Sequence, residues 1–253
     1  MCGKLREDRR GLTEDIAALT DRGQLRTKNE DALLAKRLPG GSVLLAVADG
    51  VGGLYRGDLA SAEAIATVAD ESLWANVTEP PAALEQAFSL ANQRVCDLGR
   101  QQRLPMASTL VAALVRDSQV WVTNAGDSRA YLSDGVRLHQ LSRDHSLVAE
   151  HVRAGILTAE EGEQSDYRNV ITRGIGVEDV LEPDGTGPFP LPPGNILLLC
   201  SDGLHGPVPE AQIKAALSSG TAGAMARRLI DMANEAGGPD NISVVILKAD
   251  SDG

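Results

Sequence analysis

The chain has 253 residues, 43% hydrophobic and only 3% aromatic, so its core must be built mainly from Leu, Val, Ile and Ala. Its 35 acidic against 24 basic residues give a net charge of -11, which argues against a nucleic-acid backbone as the main partner, because phosphate binding needs an electropositive face. The polar start MCGKLREDRRGLTED lacks the apolar centre of a signal peptide, no run approaches the roughly 20 apolar residues that cross a bilayer, and Cys2, Cys96 and Cys200 form no CxxC pair, so a reduced, cytoplasmic protein away from membranes is expected; a monomer is expected as well, although none of these features bears on it.

In chain order, residues 1–12 read as a flexible leader to a single domain spanning 1–253. VLLAVA (43–48) is a continuous apolar strand running into Asp49-Gly50. Apolar positions at helical spacing predict helices over 57–75 and 81–103, with Pro80-Pro81 at the start of the second. TLVAALV (109–115) and QVWVTNA (119–125) form a hairpin pair across Arg116-Asp117-Ser118, and 128–138 forms another around Asp134-Gly135. A polar insert covers 143–176. NILLLC (195–200) runs into Ser201-Asp202-Gly203, helices are expected over 208–217 and 221–235, and ISVVIL (242–247) follows Asp240-Asn241 before a frayed end at 251–253. This order is α+β without a βαβ repeat, and its natural packing is a two-sheet antiparallel β-sandwich flanked by helices.

Four aspartates share one local pattern. Asp49 and Asp202 end apolar strands and precede glycine, Asp127 sits in the AGDSR turn, and Asp240 stands just before the last strand in GGPDN. Carboxylates at strand ends can converge on one end of a sandwich, and the neighbouring glycines let the backbone bend there. Each dipeptide alone is equally a plain turn. TDRGQLRTKNED (20–31) adds Arg26, whose planar fork of donors matches phosphate oxygens, a few residues before Glu30 and Asp31; the alternative is a solvated charged loop. All these donors are oxygens, with no His or Cys cluster, which suits Mg2+ or Mn2+ and argues against zinc.

TDRGQLRTKNED, VADGVGG, MASTL, NAGDSRAYL, LSRDHSLV, RNVITRGIG, LLLCSDGL and GGPDNISVV occur in that order between about residues 14 and 247. Together they resemble the successive motifs of bacterial type 2C-like (PPM) protein serine/threonine phosphatases. The resemblance implies a four-layer αββα fold with two manganese or magnesium ions at one end. It implies that Asp49 bridges both ions, that the Gly50 carbonyl serves one, and that Asp202 and Asp240 ligate the other. Glu30 and Asp31 match positions that hold metal-bound waters or contact metal. Asp127 matches a residue that, with Asp202, binds a third and weaker ion, and Arg26 matches the phosphate-binding arginine. The implied reaction is hydrolysis of phosphoserine and phosphothreonine on proteins by a metal-activated water, reversing a bacterial Ser/Thr kinase. The alternatives are a phosphatase of anti-sigma antagonist proteins and a silent pseudophosphatase; retention of Asp49, Asp202 and Asp240 weighs against the latter.

Two departures from the family pattern stand out. Many eukaryotic relatives place a histidine, proposed as general acid, directly after the DG pair, where this chain has Val51. His145 and His205 are the nearby candidates for that work, with a hydrogen-bonding structural role as the alternative for both. The 143–176 insert resembles the mobile flap beside the family's active site, yet Ser165-Asp166 stands where relatives often carry His-Pro.

Overall fold

Two five-stranded antiparallel sheets stack face to face in the computed structural model, which describes residues 13–52 and 56–250. The leader (1–12), the C-terminal 251–253 and Gly53 of the DGVGG stretch lie outside the described residues. One sheet has the order β2 (Asp31–Arg37), β3 (Val43–Asp49), β4 (Leu110–Arg116), β5 (Gln119–Ala125), β8 (Asp184–Pro190). The other runs β1 (Thr13–Asp21), β10 (Ile242–Asp250), β9 (Ile196–Cys200), β6 (Arg129–Ser133), β7 (Leu138–Gln140).

The strand β3 shows why apolar runs without alternation form this centre. Side chains alternate across a strand, so Val43, Leu45 and Val47 point into the sandwich, where they meet Val111, Val115, Leu197, Leu199, Val245 and Leu247. Leu44, Ala46 and Ala48 point the other way, onto α1 (Gly57–Val68) and α2 (Pro80–Gln102), meeting Ala60, Ala64, Leu84 and Phe88. Both faces are dry, so every position must be apolar. The second sheet does the same: Leu198, Val244 and Ile246 pack under α6 (Glu210–Ala216) and α7 (Ala222–Glu235), whose Met225, Leu229 and Ile230 complete that layer. The result is the expected helix–sheet–sheet–helix stack.

Local differences have identifiable causes. The helix expected over 57–75 ends at Val68, and a separate 3-10 turn covers Glu71–Trp74. Asp70 caps that turn by accepting from the Ser72 N–H, a side-chain bond that competes with helix continuation. Three strands lie outside the predicted elements. β8 carries Gly185, Gly187, Pro188 and Pro190 and is tolerated as an edge strand, where a missing N–H costs no ladder bond. β1 is also an edge, read from Thr13 to Asp21 against β10, and β2 was hidden inside a stretch notable for its charges. The polar insert contains two short helices, α3 (Leu147–Arg153) and α4 (Ala159–Glu163), the latter started by a capping box between Thr158 and Glu161.

Candidate metal centre

Strand direction alone gathers the acidic residues. Asp49 ends β3 directly opposite Asp31, which begins β2, so two carboxylates face each other across an antiparallel pair, an unfavourable arrangement without a counter-charge. Asp202 opens α5 (Asp202–His205) just after β9, Asp240 precedes β10, and Asp127 lies in the turn between β5 and β6. Those chain ends fall at the same end of the sandwich. Asp49 therefore feels the charges of Asp31, Asp202, Asp127 and Asp240.

Burial and mutual repulsion act together on this group. Burial, then repulsion from its carboxylate neighbours, holds the Asp49 carboxyl well above the usual range. Burial also lifts Asp127 to about 8, with Asp202 the leading charged contributor. Asp31 rises to about 7, again chiefly by burial, although hydroxyl donors from Ser243 and Ser201 pull it down. Asp202 is raised by burial and by Asp240. Among the described residues, the two buried side-chain polar atoms with no hydrogen-bond partner are Asp31 Oδ1 and Asp202 Oδ1. Buried, orphaned carboxylate oxygens in a repulsive cluster are what a hard cation satisfies. No three such side chains among the described residues already stand in a finished ligand arrangement, so the fit to divalent cations rests on these orphaned oxygens and the all-oxygen donor set.

The backbone around the carboxylates is tightly built. Asp49 N–H donates to Thr109 Oγ1, and its carbonyl accepts from Thr109 N–H and Ser108 Oγ. Gly50 N–H donates to the Glu30 carbonyl, and a Cβ on Gly50 would collide with the backbone of Gly57 and Glu30. At Gly203 a Cβ would run into the Asn241 carbonyl, so the loops bearing Asp202 and Asp240 can approach only if that position is glycine. The carboxylate of Glu30 and the guanidinium of Arg26 both sit over Gly52. Arg26, exposed, donates from Nη2 to Asp240 Oδ2 at 2.6 Å.

One organising residue, Asn241, has no place in the reading of the sequence. Its Oδ1 accepts from the Glu30 N–H, its Nδ2 donates to the carbonyls of both Arg22 and Lys28, and its own N–H donates to Asp240 Oδ1. It closes the Arg26-bearing loop on itself and fixes that loop to Asp240. The only sequence signal was its position beside Asp240. Ser201 is a second unforeseen support: its Oγ donates to Asp31 Oδ2 at 2.9 Å.

The two histidines are committed to hydrogen bonds, as the structural alternative expected. His145 Nδ1 accepts from the Gly126 N–H at 3.2 Å, which leaves its proton on Nε2, facing Asp184 Oδ2 at 3.2 Å. Burial lowers its pKa, in keeping with a neutral ring. His205 Nε2 lies 3.0 Å from the Asp127 carbonyl. Cys200, fully buried in β9, has its thiol pushed up to about 12 by burial and is a core residue. Val51 is tied by its N–H to the Ala107 carbonyl and offers no proton to a leaving group.

Comparison with known proteins identifies the family. The family model for Protein phosphatase 2C matches residues 23–240. "Serine/threonine phosphatase stp" of Listeria monocytogenes serotype 4b (strain F2365) is 36% identical over 240 residues, covering 91% of this chain and 94% of the relative. The S. agalactiae serine/threonine phosphatase superposes with a TM-score of 0.86 at 32% identity, over 94% of this chain and all of the other. The catalytic domain of the serine threonine protein phosphatase PstP, solved in complex with 2 manganese ions, superposes with a TM-score of 0.82 at 35% identity, over 95% of this chain and 100% of that one. The chain belongs to the protein phosphatase 2C family and is a serine/threonine phosphatase.

Proposed function

We propose that this chain hydrolyses phosphoserine and phosphothreonine on proteins at a centre of two divalent cations, manganese or magnesium, held by Asp49, the Gly50 carbonyl, Asp202 and Asp240. Glu30 and Asp31 lie alongside as contacts to metal or its waters, and Asp127 with Asp202 would take a third, weaker ion. The observation that carries this reading is the pair of orphaned carboxylate oxygens on Asp31 and Asp202 within a cluster whose carboxyls are raised by burial and repulsion. Bound cations of this kind supply Lewis acidity that makes a water nucleophilic near neutral pH and offsets phosphoryl charge.

The chain's own residues prepare the rest. Asn241 holds the 22–28 loop so that Arg26 faces the carboxylate end, where its fork can donate to two phosphoryl oxygens. Arg26 is paired with Asp240. A cation held by Asp240 would weaken that pair and leave the guanidinium to a phosphoryl group. The same reading puts the protein in the cytoplasm as a monomer, acting on what a cognate Ser/Thr kinase has phosphorylated, with the 143–176 flap bordering the site in a single domain. Among the described residues no helix is long and apolar enough to cross a membrane.

The test is phosphate release from a phosphothreonine peptide with Mn2+, with and without a chelator. Release that stops on chelation is expected; no metal-dependent release from folded protein sinks the proposal and favours the silent pseudophosphatase. Arg26→Ala is expected to raise KM for the phosphopeptide about tenfold, the worth of one charge-assisted hydrogen bond, with a smaller change in kcat. An unchanged KM removes Arg26 from the site.

A further inference from the structure

The turn that carries Asp127 is gripped by a residue from the other side of the carboxylate cluster. His205 closes α5, the single helical turn that Asp202 opens. Positions i and i+3 of a helical turn project from the same side, so the Asp202 carboxylate and the His205 imidazole leave α5 together. The imidazole reaches the Asp127 carbonyl with Nε2 at 3.0 Å. A carbonyl oxygen can only accept, so Nε2 carries the hydrogen and the bond has a fixed polarity. The residue whose carbonyl is held is the same one whose nine-tenths-buried carboxylate faces Asp202.

Asp127 and Asp202 come from different parts of the chain, the β5–β6 turn and the start of α5, and the His205 bond is a direct tie between those two segments. Gly126, next to Asp127, has a φ of 111° and packs against Thr109, which limits how far the turn can move on its other side. His205 supplies the tie on the α5 side.

We propose that His205 is a positioning residue that sets the Asp127–Asp202 separation, and through it the affinity of this pair for a weakly held divalent cation. This rests on the reading of Asp127 as a ligand, given above. His205 touches neither substrate nor reacting atoms; it acts through the backbone of Asp127. The reach of the donor is therefore the critical property. Glutamine places an amide N–H near the position of Nε2, whereas asparagine keeps the amide but falls short of the carbonyl.

The experiment compares wild type, His205→Gln, His205→Asn and Asp127→Ala by titrating Mn2+ and following the free ion by electron paramagnetic resonance. Expected is a loss of about tenfold in the affinity of the weakest ion in His205→Asn, with the tighter ions unchanged, and recovery to within about threefold of wild type in His205→Gln. Phosphopeptide turnover in His205→Asn should fall at limiting Mn2+ and return in excess Mn2+, with KM for the peptide unaltered. Equal weak-ion affinity in the Asn and Gln variants overturns the proposal, as does loss of the tight ions in a folded His205→Asn protein. Asp127→Ala separates the two levels of inference. If it keeps the weak ion, the reading of Asp127 as a ligand has failed; if it loses the ion while His205→Asn keeps it, the positioning role alone has failed.

Discussion

Asp202→Asn is expected to abolish metal-dependent phosphate release and, at the same time, to raise the melting temperature of the metal-free protein. The two outcomes have one cause. Asp202 sits among Asp49, Asp127 and Asp240 with an oxygen, Oδ1, that has no hydrogen-bond partner. Without cations its charge is disfavoured by burial and by Asp240, which is why its carboxyl is raised. Asparagine has nearly the same shape, removes one negative charge and adds an N–H that can donate to a neighbouring carboxylate. Against this stands the loss of a favourable charge at the start of α5, worth about 0.3–1 kcal/mol at most sites. Relief of repulsion from several carboxylates outweighs it, and a gain of about 1 kcal/mol appears as a rise of roughly 2–4 °C in a domain of this size. Turnover falls at least about a thousandfold, because the amide binds a hard cation poorly and the charge facing the phosphoryl group is lost. Thermal melts in chelator, paired with phosphopeptide assays in Mn2+, read both effects. A destabilised metal-free variant would show that the carboxylate does structural work unrelated to cations.

Much of the architecture was readable because it depends on local pattern. The apolar run 43–48 had to be a strand buried on both faces, and the 119–125 strand was predicted with the boundaries it has. The elements that escaped, β1, β2 and β8, are those whose pairing supplies what their sequence lacks. Gly-Thr-Gly-Pro-Phe-Pro becomes a strand only because β5 lies beside it, and its proline positions are harmless at an edge. Likewise the 57–75 periodicity ran through Asp70, whose side-chain bond to Ser72 ends the helical region before the pattern fades.

The candidate site divides along the same line. Strand-end Asp-Gly and Asp-Asn pairs marked Asp49, Asp202 and Asp240 in the sequence. Nothing local could show that the β2–β3 register sets Asp31 against Asp49, or that Asn241 binds Arg22, Lys28 and Glu30 more than 200 positions away. Nor could it show that Arg26 rests on Asp240. Such contacts belong to closure of the sandwich, where β1 and β2 of the chain start meet β10 and α7 of its end.

The stability of the metal-free protein should fall as pH rises from about 4 to 8, and Mn2+ should reverse that trend. The sign follows from the raised carboxyls. Asp31, at about 7, and Asp127, at about 8, hold their protons in the folded state far above the 3.8 of an ordinary aspartate, so between these values the folded protein binds more protons than the unfolded chain. A group raised on folding stabilises fully below its unfolded pKa, and that contribution is lost as pH climbs through the folded value. The metal-free protein therefore has the full contribution of these groups only below about pH 4, and has lost it above about pH 8. Cation binding requires the carboxylates bare and releases their protons, so protection by Mn2+ grows over the same interval. In melting experiments from pH 5 to 8.5, the chelated protein should lose on the order of 5 °C or more while the increment produced by saturating Mn2+ widens. Parallel curves with and without Mn2+ would mean that the ions bind away from Asp31 and Asp127, and His205, whose ring burial keeps neutral with a pKa near 3, would not restore the coupling, since it gains no proton in this range.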